Sequence, residues 1–207
     1  RCVRLCEETY RRIAASDIQN PLCFLDARPL VVGGSTKDQD AKAGRIAGGF
    51  ARGYKLHSIV SESRRVPVWS VTPLNVAEVK VAKTLIEHYK PHGIVLADKG
   101  YDSNEIYDQV AQHGGVLLTG LSKDVTGKGH VKQSPWRLAA IQAYKGMAGY
   151  VYRDRILVEG CFGNQSMFGG GLGPLPAWVR TLPRVRAWVG AKLMIYHARL
   201  TTRKAVS

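Results

Sequence analysis

The chain is short of acid, and its last part has none. Only 16 Asp and Glu stand against 30 Lys and Arg in 207 residues, a formal net charge of +14. After Glu159 no Asp or Glu occurs, while Arg180, Arg184, Arg186, Lys192, Arg199, Arg203 and Lys204 follow. A one-signed stretch of this length points to a polyanionic partner, nucleic acid ahead of an anionic membrane surface. No run of 18 apolar residues occurs, so no membrane span is expected. The opening RCVRLCEETYRR is charged and helix-like, so no signal peptide is expected. An initiator Met is also missing, and the chain is expected to be a piece that lacks its N-terminus. The four cysteines, Cys2, Cys6, Cys23 and Cys161, show no paired metal-ligand spacing. Buried thiols in a reducing cytoplasm fit them better than zinc. There is no internal repeat.

An apolar content of 45% supports a packed core. Residues 1–19 read as one helix. PLCFLDARPLVVGG reads as a strand carrying Asp26. Residues 34–52 are polar and glycine-rich and read as a loop. GYKLHSIVSES and VPVWSVTPL, on either side of SRR, predict a hairpin. NVAEVKVAKTLIEHYK has helical spacing and is closed by Pro91 and Gly93. GIVLA is a short apolar strand, and a helix over 103–113 and the strand GVLLTGL follow. Asp102 and Ser103 are the expected caps of that helix. Residues 122–135 read as a basic loop, 136–145 as a helix, a further helix begins near 150, and a last one covers 184–200. The fold class is therefore α/β with a mixed sheet. Two crossovers put parallel strands side by side, which would make the strands of Asp26 and Asp98 neighbours.

Asp98 stands at the C-terminal end of GIVLA, in VLADKGYDS. A strand-end aspartate serves most simply as a cap of the following turn. It also stands where an α/β sheet collects ligands, and there it reads as a metal ligand. A third acid, Glu159, lies in YVYRDRILVEGCFGNQ, with Tyr152, Arg155 and Glu159 at spacings of three and four. On a helix these share a face, either as an exposed Arg–Glu pair or as part of a site.

Taken together, these blocks resemble the DDE transposases of bacterial insertion sequences, the hairpin-forming cut-and-paste group with a ribonuclease-H-like catalytic domain. The resemblance rests on FLDARPLVV, on GYKLH at residues 53–57, on VTPLNVAEV, on LADKGYDS, and on the Tyr-x2-Arg-x3-Glu signature of Tyr152, Arg155 and Glu159. It covers roughly residues 20–200, and the Asp98 block is its most specific part. The signature's final Lys falls at Ser166, a departure from the pattern.

The resemblance implies a ribonuclease-H-like mixed sheet flanked by helices, spanning 20–200 between a helical remnant (1–19) and a basic tail (201–207). It implies Asp26, Asp98 and Glu159 as catalytic residues and metal ligands for two Mg²⁺ ions, with Mn²⁺ as a substitute. Phosphodiester cleavage and strand transfer are in-line displacements, and a metal pair about 3.5–4 Å apart serves both the attacking and the leaving oxygen. Tyr152 and Arg155 would hold DNA backbone, Arg bidentately. Lys99 reads equally as a DNA contact or a solvated lysine, and Arg180, Arg184 and Arg186 are expected to follow the backbone. Double-stranded DNA, as transposon ends and target, is the implied partner, and a homodimer the implied synaptic assembly, with no membrane and a bacterial, nucleoid-associated location.

Two other readings compete. Ser166, together with Gly160, Gly163 and Gly169 to Gly171 after Glu159, fits a DNA-binding remnant with little catalysis, since glycine within a helix costs up to ~1 kcal/mol. An aspartate-nucleophile phosphatase would want a second acid two residues after Asp26, where Arg28 stands. His57 reads as structural; Trp136 could stack on a splayed base, but core packing is the expectation for it and for Trp69, Trp178 and Trp188.

Overall fold

The computed structural model describes residues 8, 10, 21–34, 36–120, 133–144, 160, 161, 163, 171–173 and 175–206. The elements are β1 (Leu22–Val31), β2 (Lys42–Ile46), β3 (Gly49–Ser61), β4 (Val68–Pro73), α1 (Glu78–Tyr89), β5 (Ile94–Ala97), α2 (Asn104–Gln112), β6 (Val116–Thr119), α3 (Pro135–Tyr144) and α4 (Leu182–Val206). The helix expected over 1–19 lies almost wholly outside the described residues, as do most of the loop expected over 122–135 and the helix expected near 150.

The strands form one mixed sheet in the order β2-β3-β1-β5-β6, with β4 also paired to β3. Antiparallel β3 runs the length of β1, from Cys23 opposite Ser61 to Val31 opposite Gly53. On the other side of β1, β5 is parallel, with Leu22 opposite Ile94 and Leu25 opposite Ala97. Parallel β6 closes that edge. An antiparallel hairpin on one side of the first strand and parallel crossovers on the other make the expected ribonuclease-H-like sheet.

Register partners point to the same face. Asp26, Ser58 and Trp69 are successive partners across β1, β3 and β4, so they share one face. α4 covers it: a Cβ on Gly190 would meet the Trp69 ring at 3.4 Å. Along α4 the buried side chains Val185, Val189, Leu193 and Tyr196 recur every three or four residues, one stripe of the helix. Leu25, Ala97 and Thr119 occupy the opposite face, where the Tyr107 hydroxyl of α2 lies 2.8 Å from Thr119 Oγ1. α1 buries Val81, Ala82, Leu85, Ile86 and Tyr89.

Three sequence expectations are corrected. Residues 34–52 are not all loop, because β2 and the first residues of β3 fall there. Glycine-rich, charged KAGRIAGGFAR has little intrinsic strand preference. It becomes a ribbon because β3 continues beyond its pairing with β4 and leaves an open edge for β2. Ser103 occupies the N-cap position of α2 but makes no capping hydrogen bond, and the Asp102 carboxylate is held by Arg137. Trp136 and Trp178 are not core residues, with 56% and 72% of their surface exposed. Trp69 and Trp188 do pack against the core.

Candidate active site

The pairing of β1 with β5 ends at Leu25 opposite Ala97. Asp26 and Asp98 each come one residue later, so the two carboxylates leave neighbouring parallel strands at the same level of the sheet. Both are half-buried. The short length of β5 creates the arrangement: β1 continues to Val31 while β5 stops at Ala97, and the ends of such strands are where α/β sheets commonly bind ligands.

The turn after β5 fixes Asp98. Its Oδ1 accepts from the Gly100 N–H at 2.8 Å, closing a tight turn over Lys99–Tyr101. A Cβ on Gly100 would stand 2.9 Å from Asp98 Oδ1 and 3.2 Å from Glu78 Oε2. The glycine of DKGYD thus leaves room for two carboxylates, since Glu78 in the first turn of α1 stands beside Asp98. Glu78 is itself paired with Lys55 Nζ at 2.8 Å. Lys55 belongs to the GYKLH block, so the sequence flagged one partner. Glu78 carried no signal, since an acid in the first turn of a helix is ordinary.

Asp26 Oδ1 accepts from the Ala27 N–H at 2.8 Å. Arg28, two residues on and therefore on the same face, is half-buried, and burial pulls its guanidinium below its ordinary pKa. His57, opposite Ala27 on the other face, bonds Thr72 Oγ1 through Nε2 at 2.8 Å. Burial first, and the Lys55 charge second, push it down to about 4, so it is neutral at pH 7.

Glu159, Tyr152, Arg155 and Ser166 lie outside the described residues. Cys161, two residues after Glu159, is buried within 3.3 Å of the Tyr196 hydroxyl on α4. Tyr196 donates to Arg64 O at 2.9 Å, and its neighbour His197 stacks on Tyr10, which meets Trp69 edge-on. Cys161 is therefore anchored in the layer over the face that carries Asp26. Among the described residues no group of three or more His, Cys, Asp or Glu is arranged to hold a metal. The donors present, Asp26 and Asp98, are hard oxygen ligands suited to Mg²⁺, which retains several waters and needs few carboxylates.

Lys99 is exposed, directly after Asp98. Arg180 donates to the Pro176 and Val179 carbonyls, each at 3.0 Å, and Arg186 reaches Val71 O on β4 at 3.3 Å. Arg184 is exposed and makes no such bond among the described residues. No helix among those residues is long and apolar enough to cross a membrane.

Carboxylates at the ends of adjacent parallel strands stand where an α/β sheet commonly binds its ligands. Residues 18–171 match the family described as Transposase DDE domain, and the chain belongs to that family. Two similar solved structures are the piggyBac transposase synaptic complex with hairpin DNA, at 9% identity and TM-score 0.49 over 93% of this chain and 51% of that one, and the Mos1 strand transfer complex, at 12% identity and TM-score 0.41 over 97% and 58%. The chain spans little more than half the length of these chains. No curated protein matches it.

Proposed function

We propose that this domain cleaves DNA and transfers strands at the ends of an insertion sequence, with Asp26, Asp98 and Glu159 as catalytic residues and metal ligands. The observation that carries the reading is the level placement of Asp26 and Asp98 at the ends of neighbouring parallel strands, within a chain of the DDE family. Divalent ions bound there, Mg²⁺ or Mn²⁺, supply activation of the attacking oxygen and stabilisation of the leaving oxygen. The chain's own part is to hold the acids and the DNA. The Gly100 N–H orients Asp98. Lys99, Arg184 and the signature residues Tyr152 and Arg155 present donors to phosphate, while Arg180 and Arg186 keep part of their donor capacity for it. Residues 20–200 form the catalytic unit in this reading, 1–19 belong to an upstream region, and the basic end assists DNA binding. Transposon ends and target duplex are the partners, a synaptic homodimer the working assembly and the bacterial nucleoid the location.

Ser166, in place of the signature Lys, favours a second reading, a remnant that binds DNA with weak catalysis. One assay separates them: nicking of duplex DNA with Mg²⁺ or Mn²⁺ by the parent, Asp98→Ala and Ser166→Lys. The enzyme reading expects the parent to nick, Asp98→Ala to bind without nicking, and Ser166→Lys to grip the cut end more tightly. Binding without nicking by both parent and Ser166→Lys favours the remnant. Nicking that survives Asp98→Ala would place the chemistry elsewhere.

A further inference from the structure

The most exposed large apolar side chain among the described residues is Phe50, at 81%. It stands at the tip of the β2–β3 hairpin, where Gly48 and Gly49 turn the chain with positive φ. From Ala41 to Ser61 the sequence contains no acid and four cations: Lys42, Arg45, Arg52 and Lys55. Arg45 is the register partner of Phe50, so the two share a face. Arg45 is also exposed.

That face is defined by alternation. β3 pairs without a break from Gly49 to Ser61, first with β2 and from Gly53 on with β1, which β4 joins on the other side. Phe50, Tyr54 and Ser58 therefore lie on one side, and Ser58 is the partner of Asp26. On the opposite side the ribbon is packed against protein at Gly44, where a Cβ would collide with Leu74 at 2.7 Å. Eight residues of strand separate Phe50 from the level of Asp26, about 26 Å at ~3.3 Å per residue. That is within one turn of duplex DNA, about 10 base pairs. A second exposed aromatic lies at the same end: Trp178 precedes Thr181, whose N–H binds Asp38 Oδ2 at 3.0 Å, and the same oxygen accepts from the Tyr54 hydroxyl at 2.7 Å.

We propose that the β2–β3 hairpin is a DNA-docking ribbon that lies in the major groove of the duplex flanking the cut, with Phe50 against the bases and Arg45 on a phosphate. The proposal rests on the DNA-cleavage reading of the Asp26–Asp98 site. The groove admits a two-stranded ribbon and offers thymine methyls to an apolar side chain. The one-signed charge of the hairpin complements the backbone and gives the contact a salt dependence. A docked ribbon also explains why a large aromatic is left in water at the end of the sheet that carries the acids.

The test is fluorescence anisotropy of the full chain on a labelled mixed-sequence duplex of about 30 base pairs, in Ca²⁺ and at several salt concentrations. Phe50→Ala should weaken binding about tenfold, the order expected when a large apolar side chain loses its burial against the groove. Arg45→Ala should reduce the slope of log affinity against log salt by about 1, and Arg45→Lys should restore it. Lys42→Ala, on the side of the ribbon opposite Phe50 and Arg45, should cost less than Arg45→Ala. Because Phe50 and Arg45 are exposed, thermal unfolding of these variants should match the parent. Parent-like affinity and slope in both Phe50→Ala and Arg45→Ala overturns the ribbon, and if the parent's nicking still depends on Asp98 the cleavage reading survives it. Weakened binding by both variants with no nicking by the parent keeps the ribbon and sinks the cleavage reading. If Phe50→Ala instead dissociates a dimer in sedimentation while affinity per protomer is unchanged, the hairpin is a protein interface and the proposal falls.

Discussion

Arg137 holds Asp102 by two hydrogen bonds in the interior, Nε to Oδ1 at 2.7 Å and Nη2 to Oδ2 at 2.9 Å. The two side chains are 2% and 0% exposed. A third bond, Nη1 to Gln133 Oε1 at 2.9 Å, uses more of the fork. The hydrogen bond to Asp102 outweighs burial and raises the arginine pKa. The pair ties α3 to the DKGYD turn, four residues after Asp98. Asp102→Ala leaves a buried cation without its partner and should cost about 3–5 kcal/mol. Asp102→Leu combined with Arg137→Met should recover most of that. Urea unfolding checks both. A cost below about 1 kcal/mol for Asp102→Ala would show that the turn does not depend on the pair.

Gly100→Ala tests the turn at the site itself. The new methyl would press on Asp98 Oδ1 and Glu78 Oε2, so the Asp98 carboxylate or the turn must shift to admit it. Nicking should fall on the order of a hundredfold, the effect of misplacing a reacting group by about 1 Å. DNA binding should persist. Unchanged nicking would mean that Asp98 does not need the position the turn gives it.

His57 links stability to acidity. Its folded pKa of about 4 lies below the ordinary value of about 6.5, so between those values the unfolded chain binds the extra proton. Stability therefore rises with pH through this window and falls as acid is added, by on the order of 3 kcal/mol in total. Unfolding midpoints from pH 7 to pH 4 should show this slope in the parent. His57→Gln should flatten it; an equal slope in both would assign the dependence to other groups.

Asp38 connects the first strand's outgoing loop to the last helix. Its carboxylate accepts from the Tyr54 hydroxyl, the Thr181 N–H and the Asp40 N–H, and Asp40 accepts from the Leu182 N–H at 2.9 Å. Two acids remote in sequence thus cap the N-terminus of α4. Burial alone would raise the Asp38 pKa, but these hydrogen bonds lower it below the usual value. Its contribution is present above about pH 4 and is lost as pH falls through the lowered pKa. At pH 7, Asp38→Ala should cost about 2–3 kcal/mol, from a lost cap and an unpaired buried hydroxyl. Near pH 2 the difference should shrink. A constant difference across that range would exclude the carboxylate as its source.

Local pattern carried most of the elements. LCFLDARPLV, IVLA and VLLT are short apolar runs, and α1 repeats its buried residues at helical spacing. Asp98 was legible because it ends such a run, and Asp26 because its strand opens a DDE-like block. The β2 ribbon was not legible, since KAGRI has neither alternation nor β-branched density. The exposure of Trp136 and Trp178 was equally hidden, because an aromatic reads as core until its neighbours are known.

By itself the sequence determined the α/β class, the excess of positive charge, the acids at the strand end and the family to which those blocks belong. These follow from residue type and local spacing, which act over a few residues. Only the tertiary structure decided that Asp26 and Asp98 are level on adjacent strands, that Glu78 stands beside Asp98, that Asp102 serves Arg137, and that Asp38 caps a helix 143 positions away. Each of these joins segments far apart in the chain. Strand register and the crowding of buried groups set such contacts, and a linear pattern holds neither.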